Sequence, residues 1–263
     1  MEFPVQPFQR GFFCNDESIR LPYFEPTVST TSLYSFGLLI PTLIIFGGEY
    51  VHHVLRKDTK LSNRYLTRKH EISNYYRSVF RKLLCFVSGA LYGYFISAVG
   101  KFTVGRLRPN FIALCGIDLS TVCRDHPYEY ITNFTCPNGE FAGNDGRISF
   151  PSDHAGFSFY AAVFTVLYLQ KRIKCGSLFW KPLLQFLILL LAWWISLTRV
   201  MNNQHHMSDV IAGIFIGSGV ALINTILVHS FSRTKTQFPV QVRIMVFPAK
   251  SCQRHVVFFS SAE

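Results

Sequence analysis

The stretch RVMNNQHHMSDVIAGIFIGSGVALINTILV, residues 199–228, joins a charged, histidine-bearing cluster directly to an unbroken apolar run. A helix that crosses the hydrocarbon core of a bilayer needs about 20 apolar residues, with roughly 17 to 25 tolerated, and the run at 210–228 fits. Toward the N-terminus the runs at 33–51 and 83–99 fit as well. Those at 155–169 and 183–197 are shorter and draw on their flanks, 150–170 and 179–198, with Lys181 snorkelling at the end of the latter. Any one of these runs could be the core helix of a soluble protein. Five in one chain of 263 residues that is 49% hydrophobic, with 26 Phe and 12 Tyr, argue against that. The expected fold is therefore all-α, a polytopic membrane helical bundle with five transmembrane helices. Gly213-x-x-x-Gly217 gives the last helix a face on which another backbone can approach closely.

The formal net charge is +11, but the cations do not form a stripe interleaved with aromatics, so nucleic-acid binding is not expected. Nine Lys or Arg (Arg56, Lys57, Lys60, Arg64, Arg68, Lys69, Arg77, Arg81, Lys82) fall between His52 and Lys82. Lys171, Arg172, Lys174 and Lys181 lie in the next connection on that side, and Arg233, Lys235 and Arg243 follow the last run. Positive flanks stay cytosolic, so 1–32, 100–154 and 198–209 are expected outside. The triplet Asn133-Phe134-Thr135 is a glycosylation acceptor usable only there. Cys14, Cys115, Cys123 and Cys136 also fall outside, an even number available for disulfides, whereas Cys85, Cys175 and Cys252 are expected as free thiols. No secretory leader is legible in residues 1–26. The resulting division is an extracytoplasmic segment (1–32), a membrane-embedded domain (33–231) and a divergent, disordered cytosolic tail (232–263).

Three clusters fall on the outer face. Lys101 closes the second run, and Arg108 follows seven residues on, stiffened by Pro109. Basic residues often snorkel at span ends, but on the outer face they run against the usual bias. Pro151 is expected to open a helix whose first turn carries Ser152, Asp153 and His154, where free N–H groups and the helix dipole favour an anion. Capping explains Ser152 and Asp153 but not His154. In the third cluster, His205 and Asp209 stand four apart and would share a helical face. A carboxylate on one imidazole nitrogen leaves the other free to attack, and Arg199 offers a planar fork for phosphate oxygens. His206 competes for the nucleophile's role. Zinc on His154, His205, His206 and Asp209 is disfavoured by the neighbouring cations, so no metal and no cofactor are expected. Together the clusters suit holding a phosphate and breaking its ester.

Lys101-x6-Arg108-Pro109, Pro151-Ser152-x-His154 and Arg199-x5-His205-x3-Asp209 resemble the three signature motifs of the type 2 phosphatidic acid phosphatase superfamily. The segment FQRGFFCNDESIRLPY (8–23), the run GRLRP (105–109) and Tyr168-Leu169-Gln170 further resemble its animal lipid phosphate phosphatase branch. The resemblance implies a metal-independent phosphohydrolase acting on phosphatidic acid, lysophosphatidic acid, sphingosine 1-phosphate or ceramide 1-phosphate at the outer face. It implies His205 as the nucleophile that forms a phosphohistidine, Asp209 orienting it, and His154 protonating the leaving alkoxide. Lys101, Arg108, Ser152 and Arg199 would hold phosphate oxygens, with Asp153 inside the same cradle. Alternatives are a catalytically weak lipid-phosphate-binding relative and a lipid phosphotransferase. Expected partners are phosphorylated lipids and the membrane, foremost the plasma membrane with endoplasmic reticulum or Golgi as alternatives; self-association into a homo-oligomer stays open.

Three departures from the family pattern stand out. The family usually has six spans, so the chain is expected to start just after the first. Thr198 stands where Ser is usual, and Asp153 where most relatives of this branch have Gly. The Asp153 carboxylate is expected to turn away from the substrate and pair with Arg108 or Arg199.

Overall fold

The computed structural model describes residues 6–58, 68–124, 128–172 and 179–233. Five long helices dominate it: α1 (Thr30–Asp58), α2 (Arg68–Val104), α6 (Asp153–Arg172), α7 (Trp180–Met201) and α8 (Met207–Arg233). Between α2 and α6 lie three short helices, α3 (Phe111–Cys115), α4 (Leu119–Val122) and α5 (Glu140–Asp145). Two short antiparallel strands, β1 (Phe12–Phe13) and β2 (Tyr130–Ile131), join the N-terminal segment to that connection.

The helices overrun the apolar segments that announce them. The basic stretch between the first two runs is in part helix, since α1 continues to Asp58 and α2 starts at Arg68. The last helix reaches Arg233, two residues into the expected tail; 234–263, with Cys252, and Cys175 lie outside the described residues.

Four segments, Thr30–Val54, Tyr75–Val104, Trp180–Met201 and Met207–Leu227, are long and apolar enough to cross a membrane. The fifth long helix, α6, does not reach that standard by composition among the described residues. Its position gives the reason. It packs against α1, α2, α7 and α8 together, so its surroundings are protein rather than lipid. It can therefore carry Tyr160, which donates to the Phe86 carbonyl (2.5 Å), and Tyr168, which donates to Glu49 Oε1 (3.0 Å). By contrast α7 buries only Ala192, Ser196, Thr198 and Arg199 and exposes Leu184, Leu187, Leu190 and Leu191.

Glycines set the tightest seam. A Cβ on Gly217 would stand 2.0 Å from the Gly156 carbonyl oxygen, and one on Gly213 would stand 2.5 Å from that of Ser152. The small-residue face of α8 thus lies directly on the start of α6. At the far end of the bundle Glu49, 3% exposed, ties three helices together. It pairs with Lys82 of α2 (3.2 Å) and Arg172 of α6 (2.6 Å) and accepts from Ser78 (2.7 Å). A buried acid at membrane depth needs such partners.

The other end is capped by a small aromatic core built on Phe12, Ile19, Leu107, Phe111 and Ile117. The Arg147 guanidinium lies over the rings of Phe111 (5.4 Å) and Phe134 (5.1 Å). Disulfides Cys14–Cys123 and Cys115–Cys136 staple the cap, while Cys85 is a buried free thiol in α2.

Candidate active site

The starts of α1, α6 and α8 and the ends of α2 and α7 meet beneath this cap, and the three charged clusters meet with them. Lys101 lies in the last turn of α2. That helix stops at Gly105, whose φ of +57° bends the chain away, and where a Cβ would stand 2.2 Å from the Phe8 carbonyl oxygen. Arg106, Leu107, Arg108 and Pro109 then cross the top of the bundle, fixed by Arg108 N–H donating to Gly146 O (2.8 Å) and Ser149 N–H to Arg106 O (3.1 Å). Arg108 Nη2 pairs with Asp145 Oδ1 (2.8 Å).

Helix α6 begins at Asp153, not at Pro151. Pro151 stands two residues before it, after a cis bond from Phe150, and the Ser152 carbonyl accepts the first helical bond from Gly156 N–H (2.9 Å). Ser152 is thus the cap, and its backbone N–H is tied to the Asp209 carbonyl (3.1 Å). The Asp153 carboxylate does turn to a cation, but the partner is Lys101; Arg108 is held by Asp145 instead. His154 Nε2 lies 3.2 Å from the Val28 carbonyl, which also accepts from Arg199 Nη1 (3.3 Å). The segment before α1 therefore supports both residues through one backbone oxygen. Arg199 Nη2 donates to Gln204 Oε1.

The expected i, i+4 pairing of His205 with Asp209 is not formed. Helix α8 starts at Met207, so His205 precedes it and helical spacing does not apply. Instead His205 Nδ1 lies 2.6 Å from the Ser149 carbonyl. A carbonyl only accepts, so Nδ1 carries the hydrogen and Nε2 keeps its lone pair. Asp209, fully buried, accepts from Ser149 Oγ (2.7 Å) and His206 N–H (3.0 Å) on Oδ2 and pairs with Arg106 on Oδ1 (2.5 Å). The bond to the His206 N–H, with Asp209 N–H returning to the His206 carbonyl (3.0 Å), caps the start of α8. His206, the competitor, turns its Nε2 to the Leu107 carbonyl (3.1 Å).

Burial, and after it Arg108, Lys101 and Arg199, hold the His205 imidazole well below the usual histidine range, so it is neutral at physiological pH. The same cations surround His154. Ser152 Oγ, Arg108 Nε and Arg199 Nε are buried and have no hydrogen-bond partner among the described residues. Buried donors left unpaired are expensive, and three of them beside a neutral imidazole fit an anionic oxygen group. Among the described residues no three His, Cys, Asp or Glu side chains are grouped to hold a metal ion. Arg106, Ser149, Asp145 and Val28 have parts in the site that sequence reasoning missed. Only Arg106 carried a signal, as the first arginine of the GRLRP run.

Comparison with known proteins gives the family. Residues 82–233 match the PAP2 superfamily. The chain is 37% identical over 230 residues to the Drosophila melanogaster protein named "Putative phosphatidate phosphatase", covering 83% of this chain and 61% of that one. It is 37% identical over 235 residues to phospholipid phosphatase 1 of Rattus norvegicus (87% of this chain, 78% of that one). With phospholipid phosphatase 2 of the same species it shares 30% over 252 residues (95% and 82%). No solved structure matches.

Proposed function

The chain belongs to the PAP2 superfamily, and on that premise we propose that it is a membrane lipid phosphate phosphohydrolase working through a phosphohistidine on His205. The observation that carries the reading is the His205 environment: Nδ1 fixed on the Ser149 carbonyl, the ring kept neutral, and unpaired donors from Ser152, Arg108 and Arg199 beside it. The dianionic phosphate of a lipid monoester takes those donors, and Lys101 adds charge. His205 Nε2 attacks phosphorus; the P–O bond to the lipid breaks, and the leaving alkoxide takes a proton from His154. Burial and Arg199 hold the His154 pKa at about 3 until the arriving phosphate dianion offsets the cations and the ring takes up its proton. The Ser149 carbonyl stabilises the Nδ1–H of the ring while it is phosphorylated. Water then attacks the phosphohistidine and gives its proton to His154; the P–N bond breaks and inorganic phosphate leaves. Asp209 holds Ser149 and the start of α8 rather than the imidazole itself. Phosphatidic acid, lysophosphatidic acid, sphingosine 1-phosphate and ceramide 1-phosphate all present the required monoester.

The site faces away from the cytosol in this reading. Lys82 and Arg172, with the basic residues around them, gather at the opposite end of the bundle, as the positive-inside rule requires. Asn133 is exposed on the capped end, where it is open to glycosylation.

Rapid quench with a radiolabelled lipid phosphate tests the mechanism. Acid-labile label should accumulate on the wild-type chain and vanish in His205→Ala together with turnover. Turnover of wild-type size in His205→Ala would overturn it.

A further inference from the structure

Two apolar cavities lie in the outer half of the bundle, each lined by one residue that meets the site. The first, about 450 Å³, lies between α1, α6 and α7 and begins at Val28, the residue whose carbonyl meets His154 and Arg199. The second, about 400 Å³, lies between α1, α2, α6 and α8 and begins at Asp153, the partner of Lys101. Helix α1 separates them. Phe157 of α6 lies on Gly37, where a Cβ would stand 2.4 Å from the ring, and its ring is 4.8 Å from that of Tyr34. This seam is the wall between the two grooves. From Thr30, where α1 starts, to Pro41, the deepest α1 residue of the first groove, the helix rises by about 17 Å. That is more than half of the roughly 30 Å hydrocarbon core, so the groove runs the depth of one leaflet.

We propose that a two-chain lipid phosphate binds astride α1, with one acyl chain in each groove and its phosphate at His205. The inference rests on the phosphohydrolase reading above and adds to it the number of chains the site is shaped to receive. The bilayer is as apolar as the grooves, so they supply no hydrophobic driving force. They act by shape. Two chains parted by the α1–α6 seam hold the glycerol over that seam and bring the phosphate between Arg108 and Arg199. A single-chain lipid can use either groove and is positioned less firmly.

Plugging each groove tests this. Gly93 lines the second groove and has nothing within 4 Å of where a Cβ would sit, so Gly93→Phe fills it without a clash at the backbone. Leu191→Trp narrows the first from its lipid-exposed side. Initial rates are taken on dioleoyl phosphatidate, 1-oleoyl lysophosphatidate and the water-soluble p-nitrophenyl phosphate in identical detergent micelles. Each single plug should lower kcat/KM for dioleoyl phosphatidate about tenfold or more and leave the other two substrates within about threefold. The double plug should also lower the rate on lysophosphatidate. Equal losses on both lipids, or no loss on either, overturn the straddling arrangement while leaving the phosphohydrolase reading intact. A wild-type chain that releases phosphate from neither lipid overturns both. A plug that also loses p-nitrophenyl phosphate turnover has disturbed the fold, and Gly93→Leu and Leu191→Phe then decide by the same criterion.

Discussion

Ser149 joins Asp209 to His205: its hydroxyl donates to Asp209 Oδ2 at 2.7 Å while its carbonyl lies 2.6 Å from His205 Nδ1. The acid thus reaches the imidazole through one intervening residue. Its own charge is spent on Arg106 and on the first turn of α8.

This relay ranks two substitutions. Ser149→Ala keeps the carbonyl and removes one of the bonds to Asp209, so kcat should fall by roughly tenfold with KM little changed. Asp209→Asn removes the partner of a guanidinium in a dry site, which is the more damaging kind of loss, at about 3–5 kcal/mol for a fully buried pair. Because Arg106 is a third exposed, the effect should lie below that range, yet exceed that of Ser149→Ala in both kcat and melting temperature. Steady-state kinetics and thermal unfolding in detergent check the order.

The His205 pKa has a sign that can be read in a pH profile. A histidine pushed below its ordinary value stays neutral, and able to attack, as pH falls through 6.5. The loss of kcat/KM that belongs to His205 should therefore lie below that pH. Removing a neighbouring cation in Arg108→Gln should move it upward. Stability follows the same linkage. The unfolded chain takes up a proton near pH 6.5 that folded His205 refuses, so this contribution to stability declines as pH drops below that value. Profiles of kcat/KM and of melting temperature between pH 4 and 8 check both.

Asp153→Gly should change turnover by less than about tenfold, or about 1.4 kcal/mol of barrier. The carboxylate is engaged by Lys101, so its removal frees a cation for the phosphate while leaving the Ser152 cap in place. A rise of several hundredfold would show that the native carboxylate blocks the cradle.

The Cys14–Cys123 bridge closes a sequence separation of 109 residues and anchors the segment that leads to Val28. Replacing Cys14 by Ser should destabilise the folded chain by about 2–4 kcal/mol. Because Val28 supports His154 and Arg199, activity should be lost at a lower temperature than in the wild type. Residual activity after graded heating measures it.

Gly217→Ala puts a methyl 2.0 Å from the Gly156 carbonyl oxygen, and the atoms it meets are backbone of α6 rather than the end of a flexible side chain. Overpacking of this kind costs about 1–3 kcal/mol. Gly219, with nothing within 4 Å of its Cβ position, is the internal control: Gly219→Ala should be neutral or slightly stabilising in the same thermal assay.

Apolar run length and charge bias were enough to specify a bundle of membrane helices, because each is a local quantity that the chain carries whatever its neighbours do. Motif spacing was enough to single out Lys101, Arg108, Ser152, His154, Arg199, His205 and Asp209 as one group, since charged residues at the ends of apolar runs must gather at a membrane face. Which of them touch was a different matter. The 205–209 spacing implied a direct bond only if both residues were helical, and the chain turns helical at Met207. Asp153 had two arginines as candidate partners, yet the nearest cation across the bundle was Lys101, 52 positions away in the chain. Ser149, Arg106 and Val28 matter through backbone carbonyls or long-range pairing, and a carbonyl leaves no mark on the identity of its residue. The third run read as an ordinary span, and only packing showed it to be the central helix, polar because protein rather than lipid surrounds it. Local patterns determine which segments enter the membrane and which groups stand at its surface; hydrogen bonds between segments far apart in the chain are decided only when the helices come together.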